Sequence, residues 1–401
     1  MDYNKLYSKV VSRSKASAIR ELLKLLSKPQ IISFAGGLPD PTLFPTKEIA
    51  DIMQDVVTNS PKEALQYGTT EGQDCFKKEL IAHLKKTENI DVHPDQLLVV
   101  SASQQALDMV ARIFLNPGDA IITAAPTYLG ALQAFHVADA DIIGAKSDNF
   151  GVIAEDVEAC LEKLKAEGRP CKFIYLVPDF QNPTGTTIPE ERRLKILEIA
   201  KKYGTLIVED SPYRQVRFEG KSPRTFYELD NGQGNVLTMF TFSKVFVPGF
   251  RLGYIVANEE LIRKFVILKQ AMDLCSSPIL QLAACEYLKR GFLEEHIQQI
   301  VAVYKEKRDL MLKTLAELMP KGVSWTHPEG GLFLWLTMPK HMDAAKLLPR
   351  ALEHNVAYVS GVDFYPAADV HNDMRLNFSY STKEQIVEGL KRLAQTIQDN
   401  L

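Results

Sequence analysis

The sequence lacks the features that would place it at a membrane or on a nucleic acid. Its 401 residues contain no apolar run long enough to cross a bilayer, and Lys and Arg form no basic stripe. The formal net charge is -3, with 47 Lys and Arg against 50 Asp and Glu. We therefore expect neither nucleic-acid nor membrane partners, and a function that involves small molecules.

Cysteine is scarce as well, and the spacing of the cysteines predicts neither a disulfide framework nor a metal site. The five residues are Cys75, Cys160, Cys171, Cys275 and Cys285. The first 23 residues carry charges throughout and lack the apolar core of a secretion signal. These observations predict reduced thiols, no bound metal and a cytoplasmic location.

The order of apolar and periodic segments predicts an α/β fold. Short apolar runs alternate with segments of helical period, which is typical of a parallel sheet wound with helices. The predicted strands are 96–101, 120–124, 172–177, 205–208, 236–240 and 253–256. After Arg290 the pattern predicts a long amphipathic helix, strands at 324–326, 332–336 and 374–378, and a closing helix from Thr382.

These patterns predict two closely packed domains. A large domain with a mainly parallel central sheet would comprise residues 46–285. A smaller α+β domain would comprise 1–45 and 286–401, including a helix near 16–27.

Polar residues follow most of the predicted strands, at the edge where open α/β sheets bind ligands. Ser103 and Gln104 open a helix after the first strand, which suits an anion, although a serine there is commonly only a helix cap. Tyr128 could lie against a planar ring or belong to the core. Asn182 lies in a Pro/Gly turn that could be a turn and nothing more.

An acid and a phenol follow the strand at 205–208. Asp210 would cost free energy in so apolar a setting unless it met a cation or a metal, and Tyr213 comes three residues later. No neighbouring cluster of His, Asp and Glu completes a metal site. A protonated ring nitrogen would serve as the cation instead.

The segment TFSKVFVPGFRLGY, residues 241–254, places Lys244 among hydroxyls and a second cation. Thr241, Ser243 and Arg251 suit a phosphate dianion, and the neighbouring charge should lower the pKa of Lys244 and make its amine nucleophilic. One ligand has all the groups that these residues suit, namely a phosphate, a flat ring, a ring nitrogen and an aldehyde that reacts with lysine. That ligand is pyridoxal 5′-phosphate (PLP).

Motifs along nearly the whole chain resemble the fold-type-I PLP-dependent aminotransferases of class I/II. The resemblance is greatest to the subgroup of 2-aminoadipate/kynurenine, aromatic and multi-substrate enzymes. The matching motifs are FAGGLP at 34–39, LQYG at 65–68, QNPTG at 181–185, SK at 243–244 and MRLNF at 374–378. The resemblance implies a PLP-transferase fold and a homodimer with shared active sites.

The resemblance also implies roles for individual residues. Lys244, Asp210 and Tyr213 would be catalytic, with Lys244 bonded to the cofactor aldehyde and Asp210 paired with the pyridine nitrogen. Asn182 and Tyr213 would hold the phenolic oxygen, and Tyr128 would stack on the ring. The phosphate would be bound by Ser103, Gln104, Thr241, Ser243, Arg251 and, from the neighbouring subunit, Tyr67.

The implied substrate-binding residues are Arg375, Gly37, Asn182 and Arg20. Arg375 would grip the substrate carboxylate, with an inter-domain salt bridge as the alternative role. Gly37 would let the backbone approach the same carboxylate. Arg20 would contact a substrate side chain or carboxylate, and a solvated helix face is its alternative.

Three positions depart from the usual pattern of the family. Ala102 stands where the phosphate loop often has Gly, Asp179 where Asn is usual, and Thr241 where Ser is common. Each keeps the functional group or lies beside it, so none argues against cofactor binding.

The function predicted is transfer of an amino group from an L-amino acid, namely 2-aminoadipate, an aromatic or a branched-chain one, to a 2-oxo acid such as 2-oxoglutarate. A PLP-dependent β-lyase or decarboxylase would use the same cofactor site. A PLP-binding regulatory sensor is the third alternative, but the motifs begin at Phe34 and leave no room for a DNA-binding domain. A dinucleotide-dependent dehydrogenase is disfavoured because no strand is followed by the glycine fingerprint.

Overall fold

The computed structural model describes residues 1–13 and 30–401. Its strands are β1 Ile32–Ser33, β2 Leu97–Val100, β3 Ala120–Ala125, β4 Asp141–Asp148, β5 Gly151–Val152, β6 Cys171–Leu176, β7 Leu206–Asp210, β8 Val236–Thr241, β9 Gly253–Val256, β10 Ser324–Trp325, β11 Phe333–Thr337, β12 Val356–Ala357, β13 Val359–Ser360 and β14 Asp373–Asn377.

The α-helices of the described residues, again in chain order, are α1 Lys9–Arg13, α2 Thr46–Asn59, α3 Pro61–Leu65, α4 Asp74–Glu88, α5 Ala102–Phe114, α6 Leu129–Val137, α7 Ala154–Ala166, α8 Glu190–Tyr203, α9 Phe226–Asp230, α10 Glu259–Met272, α11 Pro278–Lys289, α12 Phe292–Leu318, α13 Ala344–Glu353 and α14 Lys383–Gln398. Short 3-10 helices span Tyr3–Lys5, Pro41–Leu43, Pro94–Gln96, Pro248–Phe250 and Val362–Phe364. In the ranges that the structure describes, no helix is both long and apolar enough to span a membrane.

The central sheet has eight strands in the order β2-β9-β8-β7-β6-β3-β4-β5. Neighbouring strands from β8 through β7, β6 and β3 to β4 pair in parallel, while β9 and the edge strand β5 run antiparallel to their neighbours. The inner parallel strands β3, β6, β7 and β8 are almost entirely buried on both faces, as crossover helices require. Their carboxyl ends meet at one edge, so the loops after β3, β6, β7 and β8 can converge.

The predicted α/β fold with a mainly parallel sheet is confirmed. All six strands predicted for this sheet are present, with ends that differ by at most two residues. Strand β4 was missed because only Ala145 of its eight residues is buried, so the sequence shows no apolar run there. The helix predicted at 16–27 and Arg20 lie outside the described residues.

A second sheet forms in the C-terminal part of the chain. It has four antiparallel strands in the order β10-β11-β14-β13. The pairing sets Arg375 of β14 opposite Trp335 of β11 and Val359 of β13. The two-stranded pair β1-β12 ties the segment after residue 30 to this part of the molecule. Arg375 therefore lies on the middle of a fully flanked strand, which fixes its position.

The long helix and the closing helix are confirmed. Helix α12 extends over Phe292–Leu318, and Thr382 caps α14 through a capping box with Gln385. The two helices pack on one another beside the four-stranded sheet. Strand β1 and the loop 34–39 pack against these elements.

Asp179 and three arginines form a buried ionic cluster at the end of β6. Arg193 donates to both carboxylate oxygens of Asp179, with Nη2 2.7 Å from Oδ1, and Arg214 Nη1 lies 3.1 Å from Oδ2. Arg217 completes the set at 3.7 Å, and Glu88 pairs with Arg214. Although burial opposes ionisation, the arginine charges lower the pKa of Asp179. The cluster thus uses the carboxylate that replaces the usual asparagine.

The substitution Asp179→Asn should be strongly destabilising. It removes one anion but leaves the same buried guanidinium groups, and breaking a buried pair in this way costs about 3–5 kcal/mol. Denaturant unfolding of the two proteins would measure the change. The matched control is Glu306→Gln, which removes an exposed pair with Lys383 at 2.6 Å and should cost less than about 1 kcal/mol. Equal effects of the two substitutions would contradict the role given to the cluster.

Candidate functional site

Lys244 follows strand β8 and projects into the space at the carboxyl edge of the sheet. Its Nζ donates a hydrogen bond to the carbonyl oxygen of Gly37 at 2.9 Å. Burial, followed by the positive charges of Arg375 and Arg251, lowers the pKa of Lys244 to about 8. The amine is therefore much more readily neutral, and nucleophilic, than an ordinary lysine. The nucleophile predicted from the sequence thus has the protonation behaviour that its role requires.

The hydroxyls around the lysine form a connected group. Thr241 Oγ1 donates to Ser243 Oγ at 3.0 Å, and Arg251 Nη1 donates to the same oxygen at 3.2 Å. Ser103 lies in the first turn of α5, and its buried Oγ has no hydrogen-bond partner among the described residues. A phosphate would supply the missing acceptor and meet the cation.

The backbone beside this group is tightly arranged. Ala102 adopts a left-handed conformation, with φ of 62°, which explains why glycine suits this position and which alanine adopts at a cost of about 1 kcal/mol. A Cβ on Gly253 would lie 3.0 Å from the Cα of Ala102. Ser101 occupies the cap position of α5 but makes no side-chain capping bond, and Ser103 lies inside the first turn of the helix.

Gln104 and Tyr128 are two further residues predicted to bind the cofactor. Gln104 is exposed, and its amide donates to the carbonyl of Gly130 at 3.3 Å. Tyr128 immediately precedes α6 and is half-buried, and a Cβ on Gly130 would lie only 2.5 Å from its ring. Gly130 therefore leaves room for the ring, and the aromatic face is held at the edge of the sheet.

Asp210, the last residue of β7, is buried with only 1% of its surface exposed. Its Oδ2 accepts a hydrogen bond from the Tyr175 hydroxyl at 2.8 Å, while its Oδ1 is buried with no partner in the described ranges. Burial raises the pKa of Asp210 to about 7, against the opposing effect of Tyr175. A protonated ring nitrogen would satisfy Oδ1 and favour the carboxylate. Three carboxylates, thiols or imidazoles do not converge on a metal site anywhere in residues 1–13 or 30–401.

Asn182, Tyr213 and Arg375 form a chain of contacts across the two sheets. The Asn182 amide lies 3.5 Å from the Tyr213 hydroxyl, and Arg375 Nη1 donates to Asn182 Oδ1 at 2.8 Å. Burial raises the pKa of Tyr213 well above its ordinary value. The amide thus links the phenol of the large sheet to the guanidinium of the small one.

Arg375 is buried with 1% of its surface exposed and makes no ion pair with a carboxylate of the described residues. Its Nη2 donates to the carbonyl of Ala35 at 2.7 Å, and its Nε has no hydrogen-bond partner among the residues that the structure describes. The guanidinium lies over Phe333 at 4.3 Å and over Phe364 at 5.3 Å. Within residues 1–13 and 30–401, the alternative role of Arg375 in an inter-domain salt bridge is not observed. Burial lowers the pKa of Arg375 to about 10, so a carboxylate ligand would be strongly favoured there.

Gly37 and Tyr67 complete the placement of the predicted residues. A Cβ on Gly37 would lie 3.2 Å from the Phe333 ring, so glycine keeps this backbone close to the site. Tyr67 is 79% exposed, and its side chain makes no hydrogen bond or ring contact with the other site residues within the described part of the chain. A single chain therefore brings the predicted set together except for Tyr67, with Arg20 outside the described residues.

Sequence reasoning missed Tyr175 and the two aromatic rings around Arg375. Tyr175 lies inside the strand β6, where a run of apolar letters suggested only core. The available signal was the phenol itself, because a buried tyrosine hydroxyl usually has a partner. Phe333 and Phe364 had no such signal, since only the tertiary fold places them against the guanidinium.

The fold and this constellation define a fold-type-I PLP-dependent enzyme, with orphaned groups where a phosphate, a ring nitrogen and a carboxylate would bind. The family model "Aminotransferase class I and II" matches residues 31–393, and the chain belongs to that family. It is a PLP-dependent aminotransferase, and the alternatives of a lyase, a decarboxylase or a sensor are not supported.

Similar proteins cover the whole chain. Aromatic-amino-acid aminotransferase 1 of Thermococcus litoralis is 43% identical over 100% of this chain and 96% of its own length. The kynurenine aminotransferase of Pyrococcus horikoshii, solved in complex with PMP, is 45% identical, with a TM-score of 0.96 over 100% of this chain and 98% of that one. LysN, an α-aminoadipate aminotransferase of Thermus thermophilus complexed with N-(5′-phosphopyridoxyl)-L-leucine, is 36% identical, with a TM-score of 0.91 over 100% and 99%.

The reaction of Lys244 with an aldehyde should depend on pH with a midpoint near 8. Only the neutral amine attacks, so the rate should rise about tenfold per pH unit below pH 8 and level off above it. Incubation with pyridoxal, borohydride trapping and peptide mass spectrometry would measure the labelling of each lysine. Surface lysines, with an ordinary pKa of about 10.4, serve as the internal control. Labelling of Lys244 that keeps rising in parallel with them up to pH 10 would contradict the lowered pKa.

Proposed function

We propose that this enzyme moves the amino group of 2-aminoadipate, an aromatic or a branched-chain L-amino acid to a 2-oxo acid, with 2-oxoglutarate as the shared acceptor. The observation that carries the proposal is Arg375, a buried guanidinium with no carboxylate partner in the described part of the chain, joined to Asn182 at 2.8 Å. A substrate α-carboxylate would supply the missing anion. The similar proteins include an aromatic-amino-acid and an α-aminoadipate aminotransferase, which supports the aromatic and 2-aminoadipate donors.

Each residue would contribute a distinct function to the reaction. When bound, PLP supplies an aldehyde that condenses with amines and a ring that accepts electrons released at the substrate Cα. Lys244 would hold the aldehyde and, once displaced by the substrate, use its neutral amine to move the proton from Cα to the C4′ carbon. Its pKa of about 8 suits both removal and return of a proton near neutral pH.

The remaining site residues would orient the cofactor and the substrate. Asp210 would keep the ring nitrogen protonated, and Asn182 and Tyr213 would hold the phenolic oxygen. Tyr128 would lie on the ring of the cofactor, and Gly37 would let its own backbone approach the substrate carboxylate. The phosphate would be bound by Ser103, Gln104, Thr241, Ser243, Arg251 and Tyr67. Arg20 would contact a substrate side chain or carboxylate.

A panel of amino donors assayed against 2-oxoglutarate tests the proposed function. We expect glutamate to appear together with the 2-oxo acid of the donor, and parallel double-reciprocal lines as ping-pong kinetics require. We expect Lys244→Ala to lower kcat by about 10²- to 10⁴-fold or more, because the proton transfer loses its base. Lys340→Ala, at an exposed lysine after the end of β11, is the matched control and should leave kcat unchanged.

Two results would overturn this proposal. The first is release of ammonia or carbon dioxide without glutamate. The second is full turnover by Lys244→Ala. Activity confined to donors outside the three proposed classes would overturn the substrate assignment but not the transamination.

We also propose a homodimer with shared active sites, a large domain of residues 46–285, and a small domain of residues 1–45 and 286–401. The exposure of Tyr67, at 79%, and Leu65, at 65%, supports an interface beside this segment. The division is supported by the central sheet, whose strands lie within residues 97–256, and by the four-stranded sheet within 324–377. A cytoplasmic location is supported by five free thiols, the state that a reducing compartment maintains.

Light scattering and cofactor titration test the shared site. The enzyme should have twice the mass of one chain, and Tyr67→Phe should raise the Kd for PLP by about tenfold, because a charge-assisted hydrogen bond to phosphate is lost. Tyr380→Phe, at a tyrosine that is 44% exposed, is the control and should leave the Kd unchanged. A monomer that retains full activity would contradict the shared site.

A further inference from the structure

Tyr175 and Asp210 form a buried pair on neighbouring strands of the central sheet. Strands β6 and β7 pair in parallel, and the Tyr175 hydroxyl donates to Asp210 Oδ2 at 2.8 Å. Neither residue is appreciably exposed: Tyr175 has 0% and Asp210 has 1% of its surface accessible. Water therefore does not compete for the carboxylate, and the phenol is its one hydrogen-bond donor among the described residues.

The two oxygens of Asp210 are consequently not equivalent. Oδ2 is occupied by Tyr175, whereas Oδ1 is buried and has no partner in residues 1–13 and 30–401. The other acid at the end of β7 takes no part, because Glu209 accepts from Thr238 and from the backbone of Phe226. Only Oδ1 of Asp210 remains for a ligand.

The phenol is held in place by its own packing. Its ring lies edge-on to Phe135, with centroids 5.5 Å apart, and Tyr175 pairs with Val208 in the sheet. A side chain fixed in this way loses little entropy when it forms its hydrogen bond. The position of the hydroxyl thus determines the rotation of the carboxylate.

We propose that Tyr175 is a positioning residue that acts on the cofactor only through Asp210, by directing Oδ1 at the ring nitrogen and by stabilising the carboxylate form. This inference rests on the proposed function, in which Asp210 pairs with that nitrogen. Its two effects act in the same direction. The hydrogen bond opposes the rise in the pKa of Asp210 that burial causes, so its loss leaves more neutral acid at pH 7.

The substitution Tyr175→Phe removes the hydroxyl and keeps the ring. In the protein without cofactor, we expect the pKa of Asp210 to rise by about one unit or more, measured by the infrared carboxyl band with Asp210→Asn as the spectral reference. In the enzyme with PLP, we expect kcat to fall about 10- to 100-fold with KM changed less than about threefold, because the electron sink weakens but the carboxylate site is untouched.

The matched control is Tyr358→Phe. Tyr358 is equally buried, and its hydroxyl donates a hydrogen bond of 2.7 Å to the carbonyl of Ala344, in the small sheet region. This variant loses a comparable bond and should leave both the pKa of Asp210 and kcat unchanged. If Tyr175→Phe folds poorly, 3-fluorotyrosine at position 175, a stronger donor, should instead lower the pKa of Asp210.

The outcomes separate this inference from the proposed function. An unchanged pKa of Asp210, or a kcat reduced no more than in Tyr358→Phe, would overturn the role of Tyr175 while transamination stands. A wild-type protein that fails to transaminate would overturn the proposed function. The titration of Asp210 without cofactor would in that case still report whether Tyr175 controls the carboxylate.

Discussion

Burial of charged groups without opposite charges beside them is the constraint on which this site depends. Asp210 and Arg375 are each 1% exposed, and neither forms an ion pair within the described residues. Burying a charge alone costs several kcal/mol, so each group is driven toward its neutral form. The lowered pKa of Lys244 and Arg375 and the raised pKa of Asp210 are expressions of that cost. A ligand with a cationic ring nitrogen and an anionic carboxylate would relieve it.

In the cluster around Asp179, by contrast, the buried charges are paired. Asp179 neutralises Arg193 and Arg214, and Glu88 completes the pairing of Arg214. This cluster is adjacent in sequence both to Asn182 and to Tyr213, whose side chains lie 3.5 Å apart in the site. The backbone carbonyls of Ala35 and Gly37 solvate Arg375 and Lys244 in this structure. The buried charges of the Asp179 cluster are thus paired with one another, whereas Asp210 and Arg375 remain available to pair with ligands.

The fold, and the edge of the sheet at which most site residues gather, could be predicted from the sequence because both depend on patterns within short segments. Strands such as β8 are continuous apolar runs, and polar residues directly after them must gather at one edge of a parallel sheet. Strand β4 had no such pattern, and the partner of Asp210 lay inside an apolar run. The three arginines around Asp179 lie between 14 and 38 residues after it in the chain, and no local period links them to it. The register of the strands and the packing of the fold decide which side chains are partners across strands. These partners therefore cannot be predicted from the pattern within a short segment.

The most direct test of the central claim is the ¹⁵N chemical shift of the cofactor's ring nitrogen, measured with labelled PLP bound to the enzyme from pH 6 to pH 9. If Asp210 is left unpaired to hold that cation, the shift should remain that of a protonated pyridinium over the whole range. A ring nitrogen that loses its proton within this range, as the free cofactor would, would contradict the account.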